Sequence, residues 1–389
     1  MIAGVPASEV AALVRAVSPP EFDRDSILER FARARWSGIT EPGDGDAGRL
    51  IAAVGAVEAL ELLDAGASLD DRAGGSYSAA AERWRPRLAH VDSLLHLRQA
   101  ARFGARLVIP GDEEWPTGID DLGVHAPMAL WVRGVPGVLG ALDRSLAIVG
   151  ARAATGYGEH VTIEVASGLV DRGFAIVSGA AFGIDGAAHR AALASRGTTV
   201  AFLAGGVDRF YPSAHETLLN RIVEHGAVVS EVPCGTAPTK WRFLQRNRLI
   251  AAASRATVVI EAGWRSGSLN TAGHASQLGR PLGAVPGPVT SSASAGCHRL
   301  IREYDAVCVT SAQEMAELID PATPSVGPAS GPTPTRTRVL DALARTGRDV
   351  SRVAAISGLS LDEVRAELGL LDLDGLVTES PTGWRRATP

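Results

Sequence analysis

Lysine is almost missing from this sequence of 389 residues: of 38 lysines and arginines, only Lys240 is a lysine. Its positive charge is therefore carried by planar guanidinium forks rather than by compact ammonium groups. Cysteine is scarce as well. Cys234, Cys297 and Cys308 show no CxxC spacing, which excludes a disulfide framework and a cysteine zinc site, and no histidine stands at metal-ligand spacing from a partner. No apolar run reaches roughly 18 residues, so no membrane-spanning helix is expected. The opening MIAGVPASEV lacks the basic start and long apolar core of a secretory signal, and a cytoplasmic protein is expected. Nor is there an excess of basic residues, because the formal charge is -5. Any polyanion must then be met by a local concentration of cations.

That concentration is present at Lys240–Ala253, KWRFLQRNRLIAAA. Lys240, Arg242, Arg246 and Arg248 stand with Trp241 and Phe243 ahead of an apolar run, Leu249 to Ala253, that reads as the buried part of a helix. A guanidinium grips phosphate through paired hydrogen bonds and an aromatic face beside it stacks a base, while the plainer alternative is a solvated basic helix end. Arg246 and Arg248 are two residues apart, so one can face a ligand and the other a carboxylate.

The chain reads as four segments. Residues 1–103 carry apolar positions at three- and four-residue steps, giving a small helical domain with Trp36 and Trp84 in its core. Residues 104–316 begin with short strands and turns. From Ser145 apolar strand-like runs then alternate with helical stretches, the pattern of a doubly wound, mostly parallel α/β sheet of extended Rossmann type. Residues 317–335 are a Pro/Gly-rich linker. Residues 336–389 outline a winged helix, although the would-be recognition helix carries Asp362, Glu363, Glu367 and Asp372 against Arg365, which favours a protein partner over DNA.

Ligands of such sheets sit at the carboxyl ends of the strands. The loops expected there are rich in glycine and small hydroxyl residues: GAR from Gly150, SGAAFGID from Ser178, AGGVDRFYP from Ala204, EAGWRSGSLNTAGHA from Glu261 and PGPVTSSASAGCHRLI from Pro286. They suit anion cradles, with Arg152, Arg209 and Arg265 among them. None is a GxGxxG fingerprint or a P-loop, so no NAD or ATP site is indicated and no cofactor is expected.

Taken in order, VGAR, SGAAFGIDGAAHRAAL, GGVDRFYP, SEVPCGTAP, FLQRNRLIA, EAGWRSGSLNTA and AVPGP resemble the DNA-processing protein A family over about residues 140–312. The resemblance implies an extended Rossmann-like domain flanked by a helical and a winged-helix-like domain. It also implies a non-catalytic homodimer that binds single-stranded DNA and loads the RecA recombinase onto incoming DNA in natural transformation. By position it places Arg152, Ser178, Gly179, Phe243, Arg246, Asn247 and Arg248 in a DNA groove. The basic cluster adds Lys240, and the glycine- and serine-rich loops add Phe182, Gly183, Ser266, Gly267 and Ser268. Phe182 stands where similar proteins often carry a basic residue, which exchanges a phosphate contact for a stacking surface. Charge reversal at Arg246 and Arg248 together is expected to abolish binding and leave the fold intact.

Other assignments stay open at this stage. Asp185 and His189 could form an acid/base pair, or Asp185 could support a helix N-terminus while His189 packs on the sheet. Arg152 could instead pair with Glu261 or Asp185. A phosphoribohydrolase-like enzyme on the same Rossmann variant would use Glu261 as its acid/base or ribose ligand, but such enzymes carry a PGGxGTxxE string that is absent here.

Overall fold

A computed structural model describes residues 6–18, 23–320, 334–344 and 346–387. Helices α1 (Ala7–Ala16), α2 (Arg24–Ile39), α3 (Gly45–Val54), α4 (Ala56–Asp64), α5 (Leu69–Ala73), α6 (Ser78–His90) and α7 (Ser93–Arg102) precede the sheet. Their starts follow the sequence chemistry, with Asp23, Asp44, Ser68 and Asp92 accepting first-turn amide hydrogens. Trp36 and Trp84 meet edge to face at 5.3 Å in a core of these helices' own, as their apolar spacing suggested.

The sheet has nine strands. They are β1 (Ala105–Val108), β2 (Leu130–Gly134), β3 (Ser145–Val149), β4 (Ala175–Ser178), β5 (Thr199–Leu203), β6 (Ala227–Ser230), β7 (Ala256–Val259), β8 (Leu282–Ala284) and β9 (Val307–Cys308). Their spatial order is β1-β2-β6-β5-β4-β3-β7-β8-β9. From β6 to β9 all pairings are parallel, whereas β1–β2 and β2–β6 are antiparallel. Between the parallel strands run α8 (Gly156–Asp171), α9 (Ile184–Ala194), α10 (Glu216–His225), α11 (Lys240–Ala253), α12 (Ser268–Gln277) and α13 (Ala295–Glu303), and α14 (Ala312–Glu317) follows β9.

Strands β3 to β8 are buried along their whole length because helices cover both faces. One face packs Val149, Val177 and Phe202 against Leu249–Ala253 of α11 and Ala272 of α12. The other packs Leu146, Ile148 and Ile176 against Val165 and Leu169 of α8 and Ala188 and Ala192 of α9. The chain leaves β3 toward β4 on one side and returns to β7 on the other, so β3 and β7 flank the switch point where such sheets open a crevice.

The boundary expected at 103/104 falls in the turn between α7 and β1. The helices before it are not separate from the sheet, for Val10, Val14, Phe31 and Leu97 share a core with Leu107, Trp131, Ala201 and Val228. The chain divides into two compact units between Pro321 and Ala322. Of the expected linker, residues 321–333 lie outside the described residues.

The second unit holds α15 (Pro334–Ala342), α16 (Val350–Ser357), α17 (Leu361–Leu373) and a hairpin of β10 (Val377–Ser380) and β11 (Gly383–Arg386). Gly358, at φ 66°, ends α16 in the left-handed conformation that glycine tolerates. Ser360 and Glu363 then open α17 with a reciprocal capping box. Among the described residues, no helix is long and apolar enough to cross a membrane.

Candidate nucleic-acid interface

At the carboxyl ends of the parallel strands lies a groove of about 840 Å³. Five loops reach it: Gly150–Ala153 after β3, Ala181 after β4, Tyr211 after β5, Pro238–Thr239 after β6 and Gly263–Ser268 after β7. The loop after β8 does not line it and acts as a brace instead, with Pro286 O accepting from Tyr157 Oη at 2.7 Å. Arg209 is also outside the lining.

The long wall is α11. Thr239 caps it, its Oγ1 accepting from Arg242 N at 3.3 Å, and Leu249–Ala253 anchor its other end in the core. Lys240, Phe243, Leu244 and Asn247 recur at three- and four-residue steps and so share the groove face. The opposite face is taken up by carboxylates. Arg242 holds Glu41 through two bonds of 2.9 and 3.0 Å, and Arg248 holds Glu231 through two bonds of 2.7 Å. Arg248 also donates to His125 O at 2.8 Å, and Glu231 accepts from Gly43 N at 3.2 Å. Two of the four cations in the cluster thus bolt α11 to the neighbouring structure.

Arg152, Lys240 and Arg265 are exposed on the groove, and none of the three enters an ion pair among the described residues. Arg152 therefore takes neither Glu261 nor Asp185. Its guanidinium lies 5.5 Å from the centroid of the Phe243 ring, which also packs at 5.3 Å on Tyr211. Arg246 forms the buried floor. Its Nη1 donates to Gly179 O at 2.6 Å and to Phe202 O at 2.7 Å, its Nε donates to Asn247 Oδ1 at 3.2 Å, and its Nη2 makes no hydrogen bond among the described residues.

Burial pushes Arg246 down to about 10, against the pull of Asp185 and helped by the like charge of Arg152, so it remains a cation at neutral pH. Burial likewise lifts Asp185 above the usual carboxylate range, opposed by Arg246 and by the amides of Ala181 and Gly179. Two arginines repelling each other across a groove create a place where an added anion is favoured. Asn247 ties this floor to the next loop, its Nδ2 donating to Asn270 Oδ1 at 3.2 Å and to Gly267 O at 3.5 Å. On that loop Ser266 Oγ and Ser268 Oγ lie 2.8 Å apart at the N-terminus of α12, where helical amides favour negative charge.

The remaining expected residues divide. Phe182 is 46% exposed, packs on His215 at 4.8 Å, and lines a side notch with Arg152, Tyr211 and Phe243. Gly183 (φ 72°) approaches so closely that a Cβ would collide with Ala151 O and Arg152 O; it positions the Arg152 loop by backbone contact. Gly179 is required by Arg246, whose guanidinium occupies the space of a Cβ.

Gly183 lines neither the groove nor the notch, and two further residues are spent elsewhere. Ser178 is fully buried, and its hydroxyl donates to Ile148 O at 2.6 Å, which fixes the β3–β4 junction rather than offering a phosphate contact. Arg248 is 3% exposed and spent on Glu231. Reversing its charge would set two carboxylates together in a buried site, so the double reversal at Arg246 and Arg248 cannot leave the fold intact. Conversely, Tyr211 and Thr271 line the groove without having been singled out. The FYP string at the end of the third glycine-rich loop was the available signal for Tyr211.

The carboxylates that suggested catalysis have hydrogen-bond partners of their own. Glu261 is 2% exposed and outside the groove, held not by an arginine but by Thr155, whose Oγ1 and N donate to it at 2.5 and 2.9 Å. His189 pairs with Thr199 Oγ1 at 2.7 Å on the sheet, and Asp185 accepts from Gly179 N at 3.2 Å and Ala181 N at 3.4 Å in the first turn of α9.

Comparison with known proteins shows which family the chain resembles. The family profile described as DNA recombination-mediator protein A matches residues 106–320, and the DprA winged helix domain profile matches 322–383. A putative DNA processing protein DprA of Mycobacterium tuberculosis is 42% identical over 384 residues, covering 92% of this chain and 95% of the relative. Protein Smf of Escherichia coli is 33% identical over 337 residues, covering 78% and 89%. Among solved structures, DNA processing protein A of Streptococcus pneumoniae superposes with a TM-score of 0.60 at 33% identity, covering 74% of this chain and 96% of that one. The Helicobacter pylori protein, described for its single-stranded DNA binding mode, gives 0.50 at 28% identity over 55% of this chain and 95% of that one.

Proposed function

This chain belongs to the DNA recombination-mediator protein A family, and on that premise we propose that its groove holds single-stranded DNA irrespective of sequence. The observation that carries the reading is the free cation set around one aromatic platform. Among the described residues Arg152, Lys240 and Arg265 line the groove without carboxylate partners and Arg246 keeps its Nη2 uncommitted, and Phe243 with Tyr211 offers ring faces among them. Cations track a backbone whatever its sequence, and every base has a face to stack. A duplex hides those faces, so single strands are preferred.

The protein then acts in the cytoplasm as a homodimeric, non-catalytic mediator that loads the RecA recombinase onto incoming DNA in natural transformation. The recombinase step rests on family membership alone, whereas the strand-binding step rests on the groove as well. The non-catalytic reading is supported by Glu261, outside the groove and bonded to Thr155, and by Asp185, which accepts from the amides of Gly179 and Ala181. Fluorescence anisotropy with a labelled single strand, a duplex control and a salt series tests the reading. Four groove cations give a slope of log K against log salt of about -3 for a single strand. Absence of binding at low salt, or a preference for duplex, refutes it.

A further inference from the structure

The second unit carries a surface with a different chemistry. Helix α17 buries Val364, Leu368 and Leu371. At 100° per residue its opposite side carries Ala366, Gly369, Leu370 and Leu373, so a second apolar stripe faces away from the core. Leu373 is 86% exposed, Leu370 54%, and Leu376, just beyond the helix, 45%. The small residues Ala366 and Gly369, which precede these leucines on the same side, would let another backbone approach closely. Acids border the stripe: Asp362, Glu363, Glu367 and Asp372, with Arg365 as the cation of the helix, itself 3.6 Å from Asp362, while Asp374 is paired with Arg336 at 2.5 Å.

These two properties decide among occupants. In a winged helix the element in this position enters the major groove, where acids would meet phosphates and leucines would meet water or sugar edges. A second copy of the stripe would bring like carboxylates together, which is repulsive. A helix with its own leucine-type stripe and flanking lysines or arginines satisfies both the apolar area and the charge. We propose that the outer face of α17 is a docking site for a basic amphipathic helix of a partner protein.

Binding to the full-length chain is followed by anisotropy of two labelled synthetic helices that share one leucine–alanine stripe, one flanked by lysine and arginine, the other by glutamate. The basic helix is expected to bind at least tenfold more tightly, and the preference to weaken with salt. Leu370→Ser with Leu373→Ser should cost tenfold or more in its affinity while leaving the melting temperature and single-strand binding unchanged, because both side chains are solvent-facing. Glu367→Lys with Asp372→Lys should remove the preference for the basic helix. Equal binding of the two helices, no binding of the basic one, or unaltered affinity in the leucine variant would overturn the proposal. So would self-association, or duplex DNA binding, that the leucine variant abolishes. Since single-strand binding is read in the same samples, a failure here is distinct from a failure of the groove assignment.

Discussion

Arg248 and Arg152 separate stability from binding, and substituting each in turn exposes the difference. Arg248→Ala removes a guanidinium that makes two 2.7 Å bonds to Glu231 and one of 2.8 Å to His125 O, all in a site where the arginine is 3% exposed. Deleting one partner of a buried pair strands the other charge, at a cost of about 3–5 kcal/mol. At about 2 °C per kcal/mol for a unit of this size, the melting temperature should fall by about 6–10 °C. Single-strand affinity per folded molecule should barely change, because Arg248 is not in the groove lining. Arg152→Ala inverts the outcome. It removes an exposed cation with no ion-pair partner among the described residues, so stability should be unchanged, while one charge-assisted phosphate contact of about 1.5–3 kcal/mol is lost, about tenfold or more in affinity. The salt slope should also fall by about 0.7. Thermal melts and an anisotropy salt series on both variants make the test. An Arg248→Ala protein that melts like the parent but no longer binds single strands would refute the reasoning.

Other substitutions follow from the same geometry. Phe243→Ala should weaken single-strand binding by about 1–3 kcal/mol, the value of one stacked base, with Phe243→Tyr restoring most of it in the same anisotropy assay. Gly179→Ala places a methyl where the Arg246 guanidinium lies, so both melting temperature and affinity should drop; a variant with wild-type values would show that Arg246 is not fixed as described. His189 is pushed down to about 3, chiefly by burial and further by the charges of His215, Arg246 and Arg190. The native state keeps it neutral while the unfolded chain takes up a proton below its ordinary value, so its contribution is intact above about pH 6.5 and is lost toward pH 3, at up to about 1.4 kcal/mol per unit. Melting curves at pH 7, 6 and 5 should therefore flatten in His189→Gln relative to the parent.

Much of the fold is legible in the sequence because its signals are local. Runs such as Leu146–Val149 and Thr257–Ile260 are short, rich in β-branched residues and carry no polar alternation, as strands covered on both faces do, and they fall within a residue of β3 and β7. Gly358 marks the turn between α16 and α17, and the structure adds the Ser360–Glu363 box that opens α17. What local signals do not carry is how β1 and β2 attach. Residues 104–134 read as strands, but the antiparallel register of Trp131 opposite Ser230 depends on a partner about a hundred residues away. The same holds for the helices before residue 103, whose apolar spacing reveals a core around Trp36 and Trp84 but not that Phe31 and Leu97 also pack on the sheet.

The groove was legible in kind and only partly in detail, and α11 shows why. Four cations in nine residues announce a polyanion site, yet a helix turns 200° between Arg246 and Arg248, so both cannot serve the same face. Which of them meets a carboxylate depends on where the chain places Glu231, just after β6, and Arg242 is claimed by Glu41 from 201 residues earlier in the chain. Ser178 fails for a related reason: its motif looks like a phosphate cradle, but at the last position of β4 its hydroxyl is within reach of Ile148 O on the neighbouring strand and is consumed there. A charge count along a sequence thus overstates the charge offered to a ligand. Here half of the cluster fastens the helix, and that fastening holds Lys240, Phe243 and Asn247 along one wall for the loops carrying Arg152 and Arg265 to face.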